Sequence, residues 1–190
     1  NITFGDFARS NGLADLNGRE FCQHVWRVCY EALGGDDRFL VVMSLGSMPD
    51  ALDGLPDVPE NFILRDAAPQ LELLPRCSAF VTHGGANSMH EALACGLPMA
   101  VVPMFGDQPT NAATVERCGA GVSFERPMST LTVKALRDTI ASLVLNGEGN
   151  SYRKSAMEMT EKMRNAGGIP VAAGIIMKTA GIAPVQWAGE

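Results

Sequence analysis

The sequence predicts an α/β fold in which a parallel sheet is flanked by helices. Short apolar runs alternate along the 190 residues with longer stretches of helical periodicity, the pattern of repeated βαβ units. The run at 39–45 is apolar at every position but Ser44, as expected for a strand that is buried on both faces. Hydrophobic residues make up 46% of the chain and charged residues 19%, which indicates a globular protein with a sizeable core.

The first third of the chain predicts strands, one long helix and a loop. Residues 19–33 carry an apolar stripe at helical spacing, and two glycines end it. Residues 47–60 are rich in Pro, Gly and Asp and predict a loop. Strands are predicted at 2–4, 39–45 and 61–64.

The rest of the chain continues the alternation of strands and helices. Pro69 is expected at the first position of a short helix, with Leu71, Leu73 and Leu74 pointing inward. Strands are predicted at 79–82, 99–102 and 122–124, and helices after the glycines at 84–85 and at 109–118, 132–145, 151–164 and 171–179. We therefore expect one domain over residues 1–181 and a tail at 182–190.

Charge and cysteine content exclude several classes of partner. The net charge is −6 and no block of Lys or Arg occurs, so the sequence argues against nucleic acid. Five cysteines without a C-x-x-C pair predict reduced, mostly buried thiols and a cytoplasmic location. No apolar run approaches the ~20 residues of a membrane span.

The motif with the most chemical information follows the strand predicted at 79–82. His83 stands at its carboxyl end, where open α/β sheets bind ligands, and Gly84 and Gly85 let a ligand oxygen approach the backbone. Asn87 and Ser88 lie at the start of the next helix, whose unpaired N–H groups and dipole favour an anion. The motif predicts a phosphate site; the alternative is a turn-capping histidine followed by ordinary helix caps.

Other polar residues are placed to extend that site. Glu91 follows Asn87 by four residues and so lies on the same side of the helix, where it could bind a ribose diol or merely complement the dipole. Asp107 and Gln108 follow the strand at 99–102 and could hold sugar hydroxyls, although Asp107 is also a natural N-cap. Gln70 follows another strand end and could pair with a base or face solvent.

No nucleophile–base pair is evident among the three histidines. His83 is expected to bind the ligand, His90 is expected at the surface, and His24 lies mid-helix, where packing or exposure is the expected role. The sequence therefore predicts a chain that holds a ligand while the catalytic base lies elsewhere.

The segment 68–111 resembles the signature of the UDP-dependent glycosyltransferases of family 1, which have the two-domain GT-B fold. The resemblance continues more loosely from Thr3 to about Arg164. The matching residues, in order, are Ala68-Pro69-Gln70, His83-Gly84-Gly85-Ala86-Asn87-Ser88, Glu91, Gly96-Leu97-Pro98, Pro103 and Asp107-Gln108.

The resemblance implies that the chain is the carboxyl-terminal, nucleotide-sugar-binding half of such an enzyme, with a Rossmann-like parallel sheet flanked by helices. Family members invert the anomeric centre, need no metal or other cofactor in the site, and take their catalytic base from a histidine of the amino-terminal, acceptor-binding domain. The chain starts inside its first predicted strand, so we expect that domain to be missing and no catalytic residue to be present. The implied roles are diphosphate binding by His83, Gly84, Gly85, Asn87 and Ser88, ribose binding by Glu91, base binding by Gln70, and sugar binding by Asp107 and Gln108.

Two residues depart from the family pattern. Ala67 stands where an aromatic residue usually stacks on the base, and Arg65 is the residue that we expect to stack instead. Asp6 stands in the first glycine turn where Ser or Thr is usual, and its carboxylate would repel a diphosphate.

These observations favour the binding of a UDP- or dTDP-sugar for inverting transfer of a hexose to a small lipophilic acceptor. One alternative is the donor-binding subunit of a bipartite N-acetylglucosaminyltransferase, in which a separate membrane-anchored subunit completes the enzyme. The other is a nucleotide-sugar-binding module without catalysis, which the departures at Ala67 and Asp6 would favour.

Overall fold

A computed structural model describes residues 17–48, 50–145 and 149–182 of the chain. The strand predicted at 2–4 and the departure at Asp6 lie outside these residues. Of the predicted tail, only Ile182 is described.

The strands of the described residues are all paired in parallel, as the alternation of strands and helices predicts. The first two strands form one sheet, with Val41 opposite Phe62. The other three form a second sheet in the order β3-β4-β5. The bounds are β1 (Val41–Ser44), β2 (Phe62–Arg65), β3 (Phe80–Thr82), β4 (Met99–Val101) and β5 (Gly121–Ser123).

Helices connect and cover the strands. The first helix begins at a capping box in which the Asn17 side chain accepts from the Glu20 N–H and the Glu20 carboxylate accepts from the Asn17 N–H. The bounds are α1 (Gly18–Leu33), α2 (Gln70–Leu73), α3 (Ala86–Ala94), α4 (Gln108–Arg117), α5 (Pro127–Thr130), α6 (Val133–Val144), α7 (Ser151–Asn165) and α8 (Gly168–Thr179), with a 3₁₀ turn at Leu74–Arg76.

Strand β4 lies between two hydrophobic clusters. Its side chains alternate: Ala100 belongs to the cluster shared with α1 and α6, whereas Met99 and Val101 belong to the cluster under α3, α4 and α7. All three are fully buried. The end of β4 is therefore held firmly, and this matters because two predicted site residues follow it.

Some expectations about burial are wrong. The run at 39–45 is not buried on both faces, because Val41 and Met43 pack on the core with α1 while Val42, on the opposite face, remains 41% exposed. Leu71 is exposed, since α2 is a single turn and the buried position falls to Leu74 in the 3₁₀ turn.

The short helix and the cysteines differ from expectation as well. Pro69 occupies the N-cap of α2, so the helix begins one residue later than predicted. All five cysteines are free, as predicted, but only Cys29 is fully buried, and burial raises the pKa of its thiol to about 12. The other four lie at partly exposed positions near helix ends and in α1, where less of the side chain is covered.

Candidate functional site

The turn after β3 is built for close approach to the backbone. Gly84 has a φ of +79°, which favours glycine, and a Cβ added there would lie 2.6 Å from Val101 Cγ1 of β4. The Gly84 N–H is bonded to the buried Thr82 hydroxyl (3.2 Å). The turn is thus packed directly on the neighbouring strand, with no room for a side chain between them.

His83 extends from this turn beside the start of α3. A Cβ added at Gly85 would lie 2.6 Å from His83 Nε2, so the imidazole ring covers the Gly85 backbone closely. His83, Gly85, Ala86, Asn87 and Ser88 line an open pocket of about 360 Å³. His83 and the predicted phosphate residues after it therefore share one surface concavity.

The amino terminus of α3 faces that pocket. Its N-cap is Gly85, which has no side chain to cap the helix. The first intrahelical bond of α3 is that of the Met89 N–H to the Gly85 carbonyl (3.0 Å), so the N–H groups of Ala86, Asn87 and Ser88 precede the helical ladder. Together with the helix dipole, these N–H groups favour a negatively charged ligand.

A hydrogen-bonded cluster joins α2 to α3. The Gln70 amide nitrogen donates to Glu91 Oε2 (2.6 Å) and to Ser88 Oγ (3.2 Å), and all three side chains are partly buried. Residues that the sequence assigns to the base, the diphosphate and the ribose are therefore in direct contact. His90, which precedes Glu91 in α3, is exposed, as predicted, with its Nδ1 2.7 Å from the Ala86 carbonyl oxygen.

Asp107, after β4, is bonded to the start of α3 rather than capping its own helix. It occupies the N-cap position of α4 without a side-chain bond to that helix. Its Oδ2 instead accepts from the Ala86 N–H (3.2 Å) and from Asn111 Nδ2 (2.7 Å). The alternative role of Asp107, a side-chain cap of its own helix, is therefore not realised, because its carboxylate is bonded to the N–H at the start of α3 instead.

The same contacts lower the pKa of the Asp107 carboxyl. The hydrogen bond from the Asn111 side chain is the largest cause, and partial burial opposes it. The N–H groups of Asp107 and Ala86 and the charge of His83 also act to lower this pKa. Asp107 is therefore ionised at neutral pH and stands close to the pocket beside His83.

Gln108 supports the backbone that leads to Asp107. Its Oε1 accepts from the N–H groups of Met104 (2.7 Å) and Phe105 (3.0 Å), and the residue is buried. The amide oxygen therefore fixes the turn between β4 and α4.

Arg65 and Ala67 lie at and just beyond the carboxyl end of β2, and both are exposed. The Arg65 guanidinium donates to the Leu64 carbonyl oxygen (2.7 Å). This contact keeps the charged group near the end of its own strand.

The sequence analysis overlooked Asn111. Its Nδ2 donates both to the Gly84 carbonyl (2.8 Å) and to Asp107 Oδ2 (2.7 Å), so it connects the ends of β3 and β4. Its position four residues after Asp107, which places both on one side of a helix, is the signal that could have identified it.

Parallel strands, a glycine turn that opens a helix, and polar side chains at two neighbouring strand ends are features that α/β domains use to bind nucleotides. The family model described as UDP-glucoronosyl and UDP-glucosyl transferase matches residues 40–166, and the chain belongs to this family. The expected membership, and the fold of the carboxyl-terminal half of a GT-B glycosyltransferase, are both confirmed.

Individual relatives agree with this assignment. The chain is 38% identical over 169 residues to an uncharacterized UDP-glucosyltransferase, YojK, of Bacillus subtilis, covering 89% of this chain and 39% of that protein. Among solved structures, it superposes on the glycotransferase of kitacinnamycin with a TM-score of 0.72 and 28% identity, over 81% of this chain and 38% of that one. The glycosyltransferase VinC, solved in complex with dTDP, matches with a TM-score of 0.60 and 26% identity, over 77% of this chain and 33% of that one.

The chain spans about two fifths of the length of the curated relatives it matches, 39% of the first and 36% of the next. In the described ranges, no helix is both long enough and apolar enough to cross a membrane.

Proposed function

We propose that this chain binds the UDP- or dTDP-sugar donor of a glycosyltransferase that passes a hexose, with inversion, to a small lipophilic acceptor. The observation that carries the proposal is the meeting of His83, the start of α3, the Gln70–Ser88–Glu91 cluster and Asp107 at one edge of the fold. Family membership supports sugar transfer from a nucleotide donor. The names of YojK and of the VinC complex are compatible with uracil and thymine nucleotides respectively.

The diphosphate lies, in this proposal, in the pocket in front of α3. His83 donates from its imidazole, the N–H groups of Asn87 and Ser88 donate from the helix start, and the Gly84-Gly85 backbone comes close to the phosphate oxygens. N–H groups at a helix start and a charge-assisted side-chain bond are a common combination for phosphate.

The nucleoside extends from this pocket toward α2. The Glu91 carboxylate accepts hydrogen bonds from the ribose hydroxyls, and Gln70 holds it in place through the 2.6 Å bond between them. Gln70 then reaches the base with its amide oxygen, while Arg65 stacks on the ring in place of the aromatic residue that Ala67 replaces. A guanidinium plane is well suited to such stacking.

The sugar lies toward the end of β4. Asp107 accepts from its hydroxyls through Oδ1, because Oδ2 is already bonded to Ala86 and Asn111. Gln108 contributes its amide nitrogen, since its oxygen is bonded to Met104 and Phe105. No metal takes part, and the base that deprotonates the acceptor comes from an amino-terminal domain, so we expect this chain alone to be inactive and its location to be cytoplasmic.

Calorimetric titration of the 190-residue chain with UDP, dTDP and UDP-glucose tests the proposal. We expect saturable binding, and a loss of about tenfold or more in affinity for UDP on His83→Ala or Glu91→Ala, because each removes a charge-assisted or charged hydrogen bond to the ligand. His90→Ala is the matched control for His83→Ala, since His90 is exposed seven residues further on. Glu72→Ala, on exposed α2, is the control for Glu91→Ala.

Two results would reject the proposal. One is the absence of saturable binding of all three ligands to a folded chain. The other is an equal loss of affinity in the control variants, which would show that the loss does not arise at the site.

One observation favours the bipartite N-acetylglucosaminyltransferase as a second candidate. Helix α8 has no buried residue, and Ile169, Ile175 and Ile176 are more than 60% exposed, as a surface for a separate subunit would be. This candidate predicts that UDP-N-acetylglucosamine binds more tightly than UDP-glucose to the same chain. The opposite order in the same titration would count against it.

A further inference from the structure

We propose that Asn111 is a positioning residue that sets the place of the Asp107 carboxylate relative to the phosphate-binding turn. This inference rests on the proposed function, because it assigns how the sugar-binding group of that same site is held. Asn111 itself is not expected to touch the donor.

The bonds of Asn111 reach both strand ends. Its amide nitrogen carries two hydrogens, and the two acceptors within reach are the Gly84 carbonyl (2.8 Å) and Asp107 Oδ2 (2.7 Å). Its own N–H donates to the Asp107 carbonyl (3.0 Å) in the first turn of α4. Asn111 thus holds Asp107 by side chain and by backbone while it is anchored to the turn after β3.

The turn at Gly84, to which Asn111 is bonded, is tightly packed. The Gly84 turn packs on Val101 so closely that a Cβ would not fit, and Val101 is fully buried in β4. Asp107 is bonded in addition to the Ala86 N–H at the start of α3. These bonds connect the Gly84 carbonyl, after β3, to the Asn111 and Asp107 side chains at the start of α4. From Asp107 they continue to the Ala86 N–H at the start of α3.

The Asn111 bonds are expected to affect one of two contributions to donor binding, that of the sugar, and not that of the diphosphate. The proposed diphosphate contacts come from His83, the N–H groups of α3 and the close-packed Gly84-Gly85 backbone. Asn111 is bonded to the Gly84 carbonyl, but to none of the groups that donate to the diphosphate. The sugar contact comes from Asp107, whose bond from Asn111 (2.7 Å) is shorter than its bond from Ala86 (3.2 Å). Loss of the Asn111 side chain leaves the carboxylate with the 3.2 Å bond to Ala86 and the contact with its own N–H, so it loses its anchor to the Gly84 turn and its fixed orientation toward the sugar.

The measurement is the ratio of the affinities for UDP-glucose and UDP, determined by calorimetry on the wild-type chain and on Asn111→Ala, Asp107→Ala and the double variant. We expect Asn111→Ala to lower the affinity for UDP-glucose about tenfold while that for UDP changes less than about threefold, in keeping with one lost charge-assisted bond. Because both residues act through one carboxylate, the double variant should be no worse than Asp107→Ala alone.

Two further variants complete the experiment. Asn165→Ala, at the exposed end of α7, is the matched control and should leave the ratio unchanged. Asn111→Asp keeps the size of the side chain but faces Asp107 with a like charge, so it should reduce the ratio at least as much as Asn111→Ala. If thermal unfolding shows that Asn111→Ala does not fold, Asn111→Asp provides the same comparison.

The outcomes distinguish this inference from the function on which it rests. A wild-type chain that binds neither ligand would reject the proposed function, and the inference with it. A wild-type chain that binds both, with an Asn111 variant that weakens both equally or leaves the ratio unchanged, would reject the inference alone. An additive double variant would also reject it.

Discussion

At the residue scale, Gly85 offers a test of how His83 is held. Its φ lies in an ordinary region, so alanine is compatible with the backbone, but the added Cβ would lie 2.6 Å from His83 Nε2. The ring must then rotate away from the start of α3. We expect Gly85→Ala to fold normally and to weaken UDP binding by about tenfold, the effect of one lost ligand hydrogen bond.

Gly174→Ala is the matched control for Gly85→Ala. A Cβ at Gly174 meets no atom within 4 Å, and the residue lies in α8, away from the pocket. Calorimetry with UDP and a thermal unfolding curve distinguish the two effects. An unchanged affinity in Gly85→Ala would contradict the assignment of His83 to the diphosphate.

At this scale, the sequence predicts the position of a residue well where that position depends only on spacing along one helix. Asn87, Ser88 and Glu91 follow the glycines in a single helix, so their side and distance from the turn follow from helical geometry. Sequence reasoning missed the role of Asn111 and the bond between Asp107 and Ala86, because these contacts join residues that are 27 and 21 positions apart in the sequence. Such contacts arise only when β3 and β4 pair.

At the element scale, one buried hydroxyl group forms a hydrogen bond between helices α7 and α3. Thr160 Oγ1 donates to the Leu93 carbonyl (2.6 Å) across the interface, and also lies 3.1 Å from the Ala156 carbonyl of its own helix. We expect Thr160→Val, which leaves the Leu93 carbonyl without this donor, to lower the free energy of unfolding by about 1–3 kcal/mol.

Thr114→Val is the control for that substitution. The Thr114 hydroxyl bonds to the Thr110 carbonyl on the exposed face of α4, so its loss should change the free energy of unfolding by less than about 0.5 kcal/mol. Urea unfolding followed by circular dichroism measures both. Equal effects of the two variants would show that the bond across the α3–α7 interface adds nothing specific.

The order of strands and helices, apart from the single-turn α5, was predictable from the sequence, since each apolar run is short and each helical stripe long. The bounds of α6 differ from the predicted 132–145 by one residue at each end. Its N-cap, Thr132, is one of the residue types that favour this position, so the start of the helix could be predicted from the sequence. Burial was less predictable. The exposure of Val42 and Leu71 depends on which face of β1 and of the short α2 the other elements cover.

At the scale of the whole molecule, α8 stands outside both hydrophobic clusters on either side of β4, since none of their residues lies in it. Its isoleucines are exposed, and it packs against α7. Large apolar side chains exposed together usually serve an interface. In relatives more than twice as long as this chain, further polypeptide is available to cover it.

The exposed surface of α8 predicts how the isolated chain behaves in solution. We expect it to self-associate at high concentration, and Ile175→Lys to reduce that association by removing a large apolar group and adding a charge. Ala172→Lys, on the same helix, adds the same charge but removes only a methyl group, so it should reduce association less. Sedimentation velocity over a range of concentrations measures the effect, with UDP affinity unchanged in both variants because α8 lies outside the pocket. A wild-type chain that stays monomeric throughout would show that exposed isoleucines do not suffice to form an interface, and would remove the support that α8 gives to a separate subunit.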